Sequence, residues 1–279
     1  MILNVEHTLY YSYSNSVSLT PHTIYLTPKA SPNQEIVSFQ LEILPTPNIL
    51  YKNIDVEGNA QSVAFFNTPT DRLSFRAKVE IVSEEVNPFH FIYYPFGAET
   101  LPFKYPDKEL ALLQPYLTDE GITTLIDQFA RQIAAEANWK TTDFLTRISK
   151  YIRYNFLYEK RLEGAAHSPE TTLISRKGTC RDYAVLMIAA CKALGLAARF
   201  VSGYCYGSEL QAHELHAWVE VYLPGAGWRG FDPTEGRITD FHYIALASSA
   251  QAELINPIRG GFRGNAVSSL NAFVDIRQK

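Results

Sequence analysis

Cysteine is scarce in this chain of 279 residues: there are three, at positions 180, 191 and 205. An odd and sparse count is not a disulfide framework, and it favours a reducing, cytoplasmic setting. No run of about 18 or more apolar residues occurs, so neither a membrane span nor a membrane partner is expected. Met1 to Tyr13 lacks the basic start, apolar run and cleavage site of a secretory signal. Basic charge is not in excess either. Lys and Arg number 25 against 29 Asp and Glu, for a net charge of −4 and a pI near 6.0. Nothing therefore draws the chain to a phosphate backbone, and nucleic acid is not an expected partner. Repeats and low-complexity tracts are absent. What is present is globular material, 46% hydrophobic and 19% charged, in a length that suggests two packed units.

The two units differ in period. From Val5 to about Tyr94, short runs of Tyr, Thr, Val, Ile and Phe are broken by prolines and by Gly58-Asn59, which reads as strands and turns. Phe75, Ala77, Val79 and Ile81 alternate with Arg76, Lys78 and Glu80, the pattern of a strand with one wet face. Residues 1–100 are thus expected to form an antiparallel β-sandwich. Residues 101–117, with prolines at 102, 106 and 115, read as a linker that suppresses helix and central strand. Residues 118–279 then form a second domain of helices packed on an antiparallel sheet, an α+β chain overall. Helices are expected from Thr118 or Asp119 to about Asn138, from Thr142 or Asp143 to about Tyr154, and from Cys180 to about Gly195. Strands follow at Ala197–Tyr206, Leu215–Leu223 and Trp228–Asp232, the last two joined across Pro224-Gly225-Ala226-Gly227.

Cys180 carries the strongest chemical signal. A lone cysteine is ordinarily a small core residue. This one follows a turn, Lys177-Gly178-Thr179, and opens an apolar helix for which Thr179 and Asp182 resemble a capping box. A helix N-terminus favours a thiolate over a thiol, and its free N–H groups can hold an oxyanion. Cys191 and Cys205 have no such setting and read as core. His216 opens an alternating segment, and Asp232 closes the next strand ahead of Pro233. The Asp232 carboxylate could fix the tautomer of His216 whose other nitrogen faces the thiol. Side chains opposite in an antiparallel pair share a face, so His216 and Asp232 meet only if paired residue numbers sum to an even value. That demands an odd loop, for example with Tyr222 opposite Ala226, or a bulge.

Gly178-Thr179-Cys180-Arg181-Asp182-Tyr183-Ala184, Leu194-Gly195-Leu196 through Tyr204, His216-Ala217-Trp218-Val219-Glu220-Val221, Gly227-Trp228 and Phe231-Asp232-Pro233-Thr234 together resemble the transglutaminase-like core. The close resemblance spans roughly residues 140 to 236. It is similar to the bacterial branch with an N-terminal β domain, whose final strands are matched by Ile258-Arg259-Gly260 and Phe262-Arg263-Gly264. The resemblance implies a papain-like fold in which Cys180 is nucleophile, His216 general base and acid, and Asp232 the orienting carboxylate. The chain departs from the animal members at the second oxyanion donor, an upstream tryptophan, since its tryptophans are only at 139, 218 and 228. Tyr158 is the candidate replacement beside the Cys180 backbone, with packing as its other reading, and His167 is a weaker one.

The implied activity is that of a cysteine protease or amidase with an acyl-enzyme thioester, resolved by water or by an amine acyl acceptor, on a peptide or protein substrate and without a cofactor. Tyr183, Tyr204, Tyr206 and Trp218 are candidates to line a substrate groove, although aromatic residues in a chain this rich in them also serve as core. Two rival readings stand beside this one. His213 and His216 with Cys205 or Asp232 could ligate zinc, and the fold could survive as a catalytically idle peptide-binding or scaffolding module. The glycines of Gly260-Gly261-Phe262-Arg263-Gly264 lack the strand and helix context of a phosphate cradle.

Overall fold

The computed structural model describes residues 1–161, 164–208, 210 and 214–279. The first six strands are β1 (Ile2–Leu19), β2 (His22–Ile24), β3 (Gln34–Leu44), β4 (Ile49–Ile54), β5 (Ala60–Phe65) and β6 (Thr70–Ser83). Alternation decides their faces. On β1, Leu3, Val5, His7 and Leu9 point inward, and on β6 Leu73, Phe75, Ala77, Val79 and Ile81 do the same. Each large apolar side chain so buried contributes about 1.5–3 kcal/mol.

The second half runs α1 (Asp107–Leu113), α2 (Thr124–Glu136), α3 (Thr141–Asn155), β7 (Leu157–Tyr158), α4 (Pro169–Ser175), β8 (Lys177–Gly178) and α5 (Cys180–Ala193). It continues through β9 (Ala198–Cys205), β10 (His216–Leu223), β11 (Gly227–Asp232), β12 (Arg237–Ile238) and β13 (Tyr243–Ser249). The last five strands form one antiparallel sheet in the order β12-β11-β10-β9-β13. Helix α5 is buried almost all round, as its run of Tyr183, Ala184, Leu186, Met187 and Ala190 dictates, and packs on Ala198, Phe200, Ala217 and Val219 of that sheet.

The chain then returns to its beginning. Strands β14 (Ile258–Arg259), β15 (Phe262–Arg263) and β16 (Ser268–Gln278) pair with β2, β1 and β1 respectively. One layer of the sandwich is β15-β1-β6-β3, with β16 also on β1, and the other is β14-β2-β5-β4. The boundary placing residues 118–279 in one unit is therefore corrected, because residues from Ile258 onward complete the N-terminal sandwich. The stretch 101–117 is corrected too: Pro106 sits at the N-cap of α1, where its carbonyl accepts from the Leu110 N–H and no N–H of its own is needed, so it does not break the helix. Helix α2 starts at Thr124 with Thr123 as its N-cap rather than at 118 or 119, since Gly121 at φ +79° ends a turn there. Among the described residues no helix is long and apolar enough to cross a membrane.

Candidate active site

Cys180 is the first residue of α5, and its cap is built as the sequence implied. The Thr179 side chain accepts from the Asp182 N–H, while the Asp182 carboxylate accepts from the Thr179 N–H at 2.7 Å. Gly178 is required here because a Cβ would lie 2.7 Å from the Cβ of Asp182. Asp182 does more than cap. Its Oδ1 also accepts from Arg161 Nη2 at 2.7 Å and from the His167 N–H at 2.6 Å. Arg181 donates to the carbonyls of Gly164 and Arg161 at 2.8 and 2.7 Å. The two residues after Cys180 thus hold Arg161, Gly164 and His167, which precede α4. Burial, the largest influence on Asp182, opposes its charge, but the N–H groups of Thr179 and His167 and the Arg161 guanidinium outweigh it and lower its pKa.

The register of β10 and β11 satisfies the parity condition. Val219 lies opposite Phe231, Tyr222 opposite Trp228 and Leu223 opposite Gly227, leaving the three-residue loop Pro224-Gly225-Ala226. The loop is odd, as required, although the pairing is two residues removed from Tyr222 with Ala226. His216, Trp218 and Asp232 consequently share a face. The His216 Nε2 lies 2.6 Å from Asp232 Oδ2, with both side chains buried. Cys180 is within hydrogen-bonding reach of the same ring, which leaves Nδ1 as the nitrogen that can face the sulfur. Burial is the largest influence on His216 and opposes its charge. The Asp232 charge and hydrogen bond, followed by those of Cys180, overcome it and raise the pKa well above 6.5.

Asp232 is itself held from three further directions. The N–H groups of Thr234 and Glu235 donate to Oδ1 at 2.8 and 3.2 Å, and the Tyr243 hydroxyl donates to Oδ2 at 2.8 Å. Burial would raise the carboxyl; His216 foremost, with Tyr243 and the Thr234 N–H, keeps its pKa below the ordinary 3.8. Tyr243 stays a phenol, since burial and then the Asp232 charge push its pKa up strongly, and Arg237 Nε donates to its oxygen at 3.1 Å. Sequence reasoning missed Tyr243 and Arg237. Arg237 returns by a tight pairing opposite Asp232, for which the sequence offers only a cation five residues on, whereas Tyr243 is placed by the pairing of β13 with β9, which is not local.

Tyr158 is brought close to Cys180 in the chain's pairing. Strand β7 pairs in parallel with β8, placing Tyr158 opposite Gly178, two residues before Cys180, and Tyr158 lines the cleft that reaches the sulfur. His167 lines it too. The expected groove aromatics do not. Tyr183, Tyr204 and Trp218 are 1%, 0% and 2% exposed, and none lines the cleft. Tyr183 packs edge-on against Phe156 and Tyr158, and Trp218 packs against Val201, Cys205 and Tyr243. Trp218 fits because Gly203, directly opposite His216, has no Cβ, which would lie 2.6 Å from the indole. Tyr204 faces the N-terminal sandwich. Large rings with one polar atom are as useful between layers as along a groove, and the layer packing claimed them. Tyr206 stacks on His242.

Cys191 and Cys205 are buried, and burial pushes both thiols up. For the zinc reading, His213 lies outside the described residues, and no cluster of metal-binding side chains occurs among those described.

Comparison with known proteins places these observations in a family. Residues 127–233 match the model of the transglutaminase-like superfamily, and residues 3–82 match that of the bacterial transglutaminase-like N-terminal region. An uncharacterized protein of Mycobacterium tuberculosis is 26% identical over 98% of this chain and 91% of its own length. A protein-glutamine gamma-glutamyltransferase of Pseudomonas aeruginosa is 40% identical over 68 residues, covering 22% of this chain and 10% of that protein. A candidate cysteine protease from Cytophaga hutchinsonii has a similar fold, with a TM-score of 0.74 and 21% identity over 100% of this chain and 91% of that one. The core at residues 127–233 thus belongs to the transglutaminase-like superfamily, behind an N-terminal region of the bacterial transglutaminase-like kind.

Proposed function

We propose that this protein is a cysteine-dependent hydrolase or acyltransferase acting on peptide or amide bonds, with Cys180, His216 and Asp232 as its triad. The observation that carries the reading is the buried 2.6 Å contact of His216 Nε2 with Asp232, on a ring that Cys180 also reaches. The Cys180 thiolate attacks the amide carbonyl carbon. The oxyanion forms where the Cys180 N–H and the Tyr158 hydroxyl can donate. The tetrahedral adduct collapses as the His216 imidazolium gives its proton to the leaving amine, and a thioester remains on Cys180. Water, deprotonated by His216, then releases the acid, so the outcome is a peptidase or amidase in preference to a transamidase. An amine in place of water would give transamidation.

Mass spectrometry of the intact protein after incubation with a peptide library, with and without an added primary amine, tests this. The expected result is an acyl adduct on Cys180, absent in Cys180→Ala, with free acid as the main product even when amine is present. No adduct and no turnover across the library would overturn the triad reading, and amide product in excess of acid would reverse the preference for water.

A further inference from the structure

The cleft that reaches Cys180, about 830 Å³ in volume, has two walls from different halves of the chain. One is the face of α5 carrying Cys180, Val185, Ile188 and Lys192, a run of about 18 Å at 1.5 Å per residue. Phe200, Ser202 and Ala217 of the catalytic sheet contribute to its floor. The other wall is the N-terminal sandwich, through His7, Leu9 and Tyr11 of β1 and neighbouring residues of β16. A substrate that runs the length of this cleft from the sulfur would therefore also meet β1.

On the inward face of β1 that wall carries one polar side chain among apolar ones. His7 occupies the inward face of β1 between Val5 and Leu9, is 1% exposed, and has Nδ1 3.0 Å from the Tyr204 hydroxyl. Its Nε2 has no hydrogen-bond partner among the described residues. The tautomer follows from counting. If Tyr204 O–H donates to Nδ1, one group is left over, the Nε2–H. If instead Nδ1–H donated to Tyr204, the phenol hydrogen and the Nε2 lone pair would both be stranded, at about 1–3 kcal/mol each. The ring therefore presents an N–H. Burial lowers its pKa from 6.5 to about 4, so it is a neutral donor at physiological pH. A buried donor without an acceptor, in the wall of a cleft that ends on a nucleophile, calls for an oxygen supplied from outside.

We propose that His7 is a substrate-binding residue contributed by the N-terminal sandwich, its Nε2–H donating to a carbonyl oxygen of an extended peptide lying between α5 and β1. The assignment rests on the cysteine-hydrolase reading of Cys180. It gives the N-terminal sandwich a share in the active site and makes an extended chain, rather than a single amide group, the substrate.

The test uses two alkylating probes on the whole protein. Iodoacetamide reports the sulfur alone. Epoxysuccinyl peptides extended on both sides of the epoxide report the sulfur and the cleft. His7→Phe, which keeps a ring and removes the donor, is expected to weaken peptide-probe affinity by about tenfold, the worth of one neutral hydrogen bond. The maximal alkylation rate and the iodoacetamide rate should be the same as in the wild type. His7→Gln, which restores an N–H, is expected to recover part of the affinity. In wild-type protein labelled with 15N-histidine, the His7 Nε2–H signal should move downfield when the peptide probe is added, a readout that needs no variant. Unchanged affinity in His7→Phe, or an unmoved His7 signal with the probe bound, would overturn the proposal. Failure of wild-type Cys180 to react with iodoacetamide faster than Cys191 and Cys205 would instead overturn the functional reading beneath it.

Discussion

Folding against acid offers an independent measure of His7. In the folded protein burial lowers its pKa from 6.5 to about 4, whereas in the unfolded chain it titrates near 6.5. Between those values the unfolded state binds the proton and the native state does not, so stability rises with pH across the window and is lost as pH falls through it. The difference of about 2.5 pH units, at about 1.4 kcal/mol each, bounds the loss at about 3 kcal/mol, of which some 2 to 3 kcal/mol is spent by pH 4.5. Other groups titrate there as well, so the quantity to measure is a difference between proteins. Urea unfolding of wild type and His7→Phe at pH 7 and pH 4.5 isolates it. At pH 7 the two proteins should differ little, because the variant strands the buried Tyr204 hydroxyl but removes the unpaired Nε2–H, each worth about 1–3 kcal/mol. At pH 4.5 the variant should be the more stable by about 2 kcal/mol, because Phe carries no proton cost. Parallel losses in the two proteins would show that His7 is not held neutral by burial, and the tautomer argument would fall with it.

Three further outcomes follow from the site. The alkaline limb of kcat/KM for peptide turnover should lie well above pH 6.5, where the His216 imidazolium survives, and Asp232→Asn should move it to lower pH; an unmoved limb would remove Asp232 from its role. The same pair fixes the sign for stability: the His216 contribution is complete below about 6.5 and lost as pH rises through its raised value, while that of Asp232 is present above 3.8 and lost as pH falls through its lowered one. Tyr243→Phe withdraws one donor from a charged acceptor and should lower kcat by about tenfold with KM unchanged, which steady-state kinetics would check; an unaltered kcat would make Tyr243 a packing residue only. Asp182→Ala removes both the cap of α5 and the acceptor for Arg161 and His167, so urea unfolding should show a loss of at least about 1 kcal/mol and trypsin should cut faster after Lys160 and Arg161.

The parts legible in the sequence were those whose partners lie a few residues away or obey a period. The Thr179–Asp182 cap joins residues three apart, the inward set from Phe75 to Ile81 repeats every two, and the His216–Asp232 face follows from loop parity. Where partners lie far off in sequence, local patterns fell silent. Nothing near Ser268 announces that β16 adds to β1 rather than to the catalytic sheet, and nothing near Tyr243 announces Asp232. The aromatic residues failed for a related reason: an interior between two layers and the wall of a groove make the same demand on a large ring, and only the register of β9 decides that Tyr204 meets His7.

That register also explains why the sandwich belongs with the chemistry. Strand β13, which carries Tyr243 to Asp232, is held from the N-terminal side along its length. Gln34 Nε2 donates to the Tyr243 carbonyl and Ser83 Oγ to the Phe241 carbonyl, each at 2.7 Å. The buried Asn59 side chain takes both backbone groups of Ser248 at 2.9 Å, and Lys29 donates to the Ser248 hydroxyl at 2.8 Å. Such bonds are worth most where no water can replace them, because removing either partner strands the other in the interior. The sandwich is in turn closed by the last strand of the chain, β16 against β1 from Leu3–Gln278 to Tyr13–Ser268. Loosening β16 would therefore act on the site by two routes, through β1 on the wall that bears His7 and through β13 on the hydroxyl that steadies Asp232. On this geometry the carboxylate–imidazole contact is a property of the whole chain, and a fragment spanning residues 118–279 would keep Cys180, His216 and Asp232 in sequence while losing the strands that hold them in place.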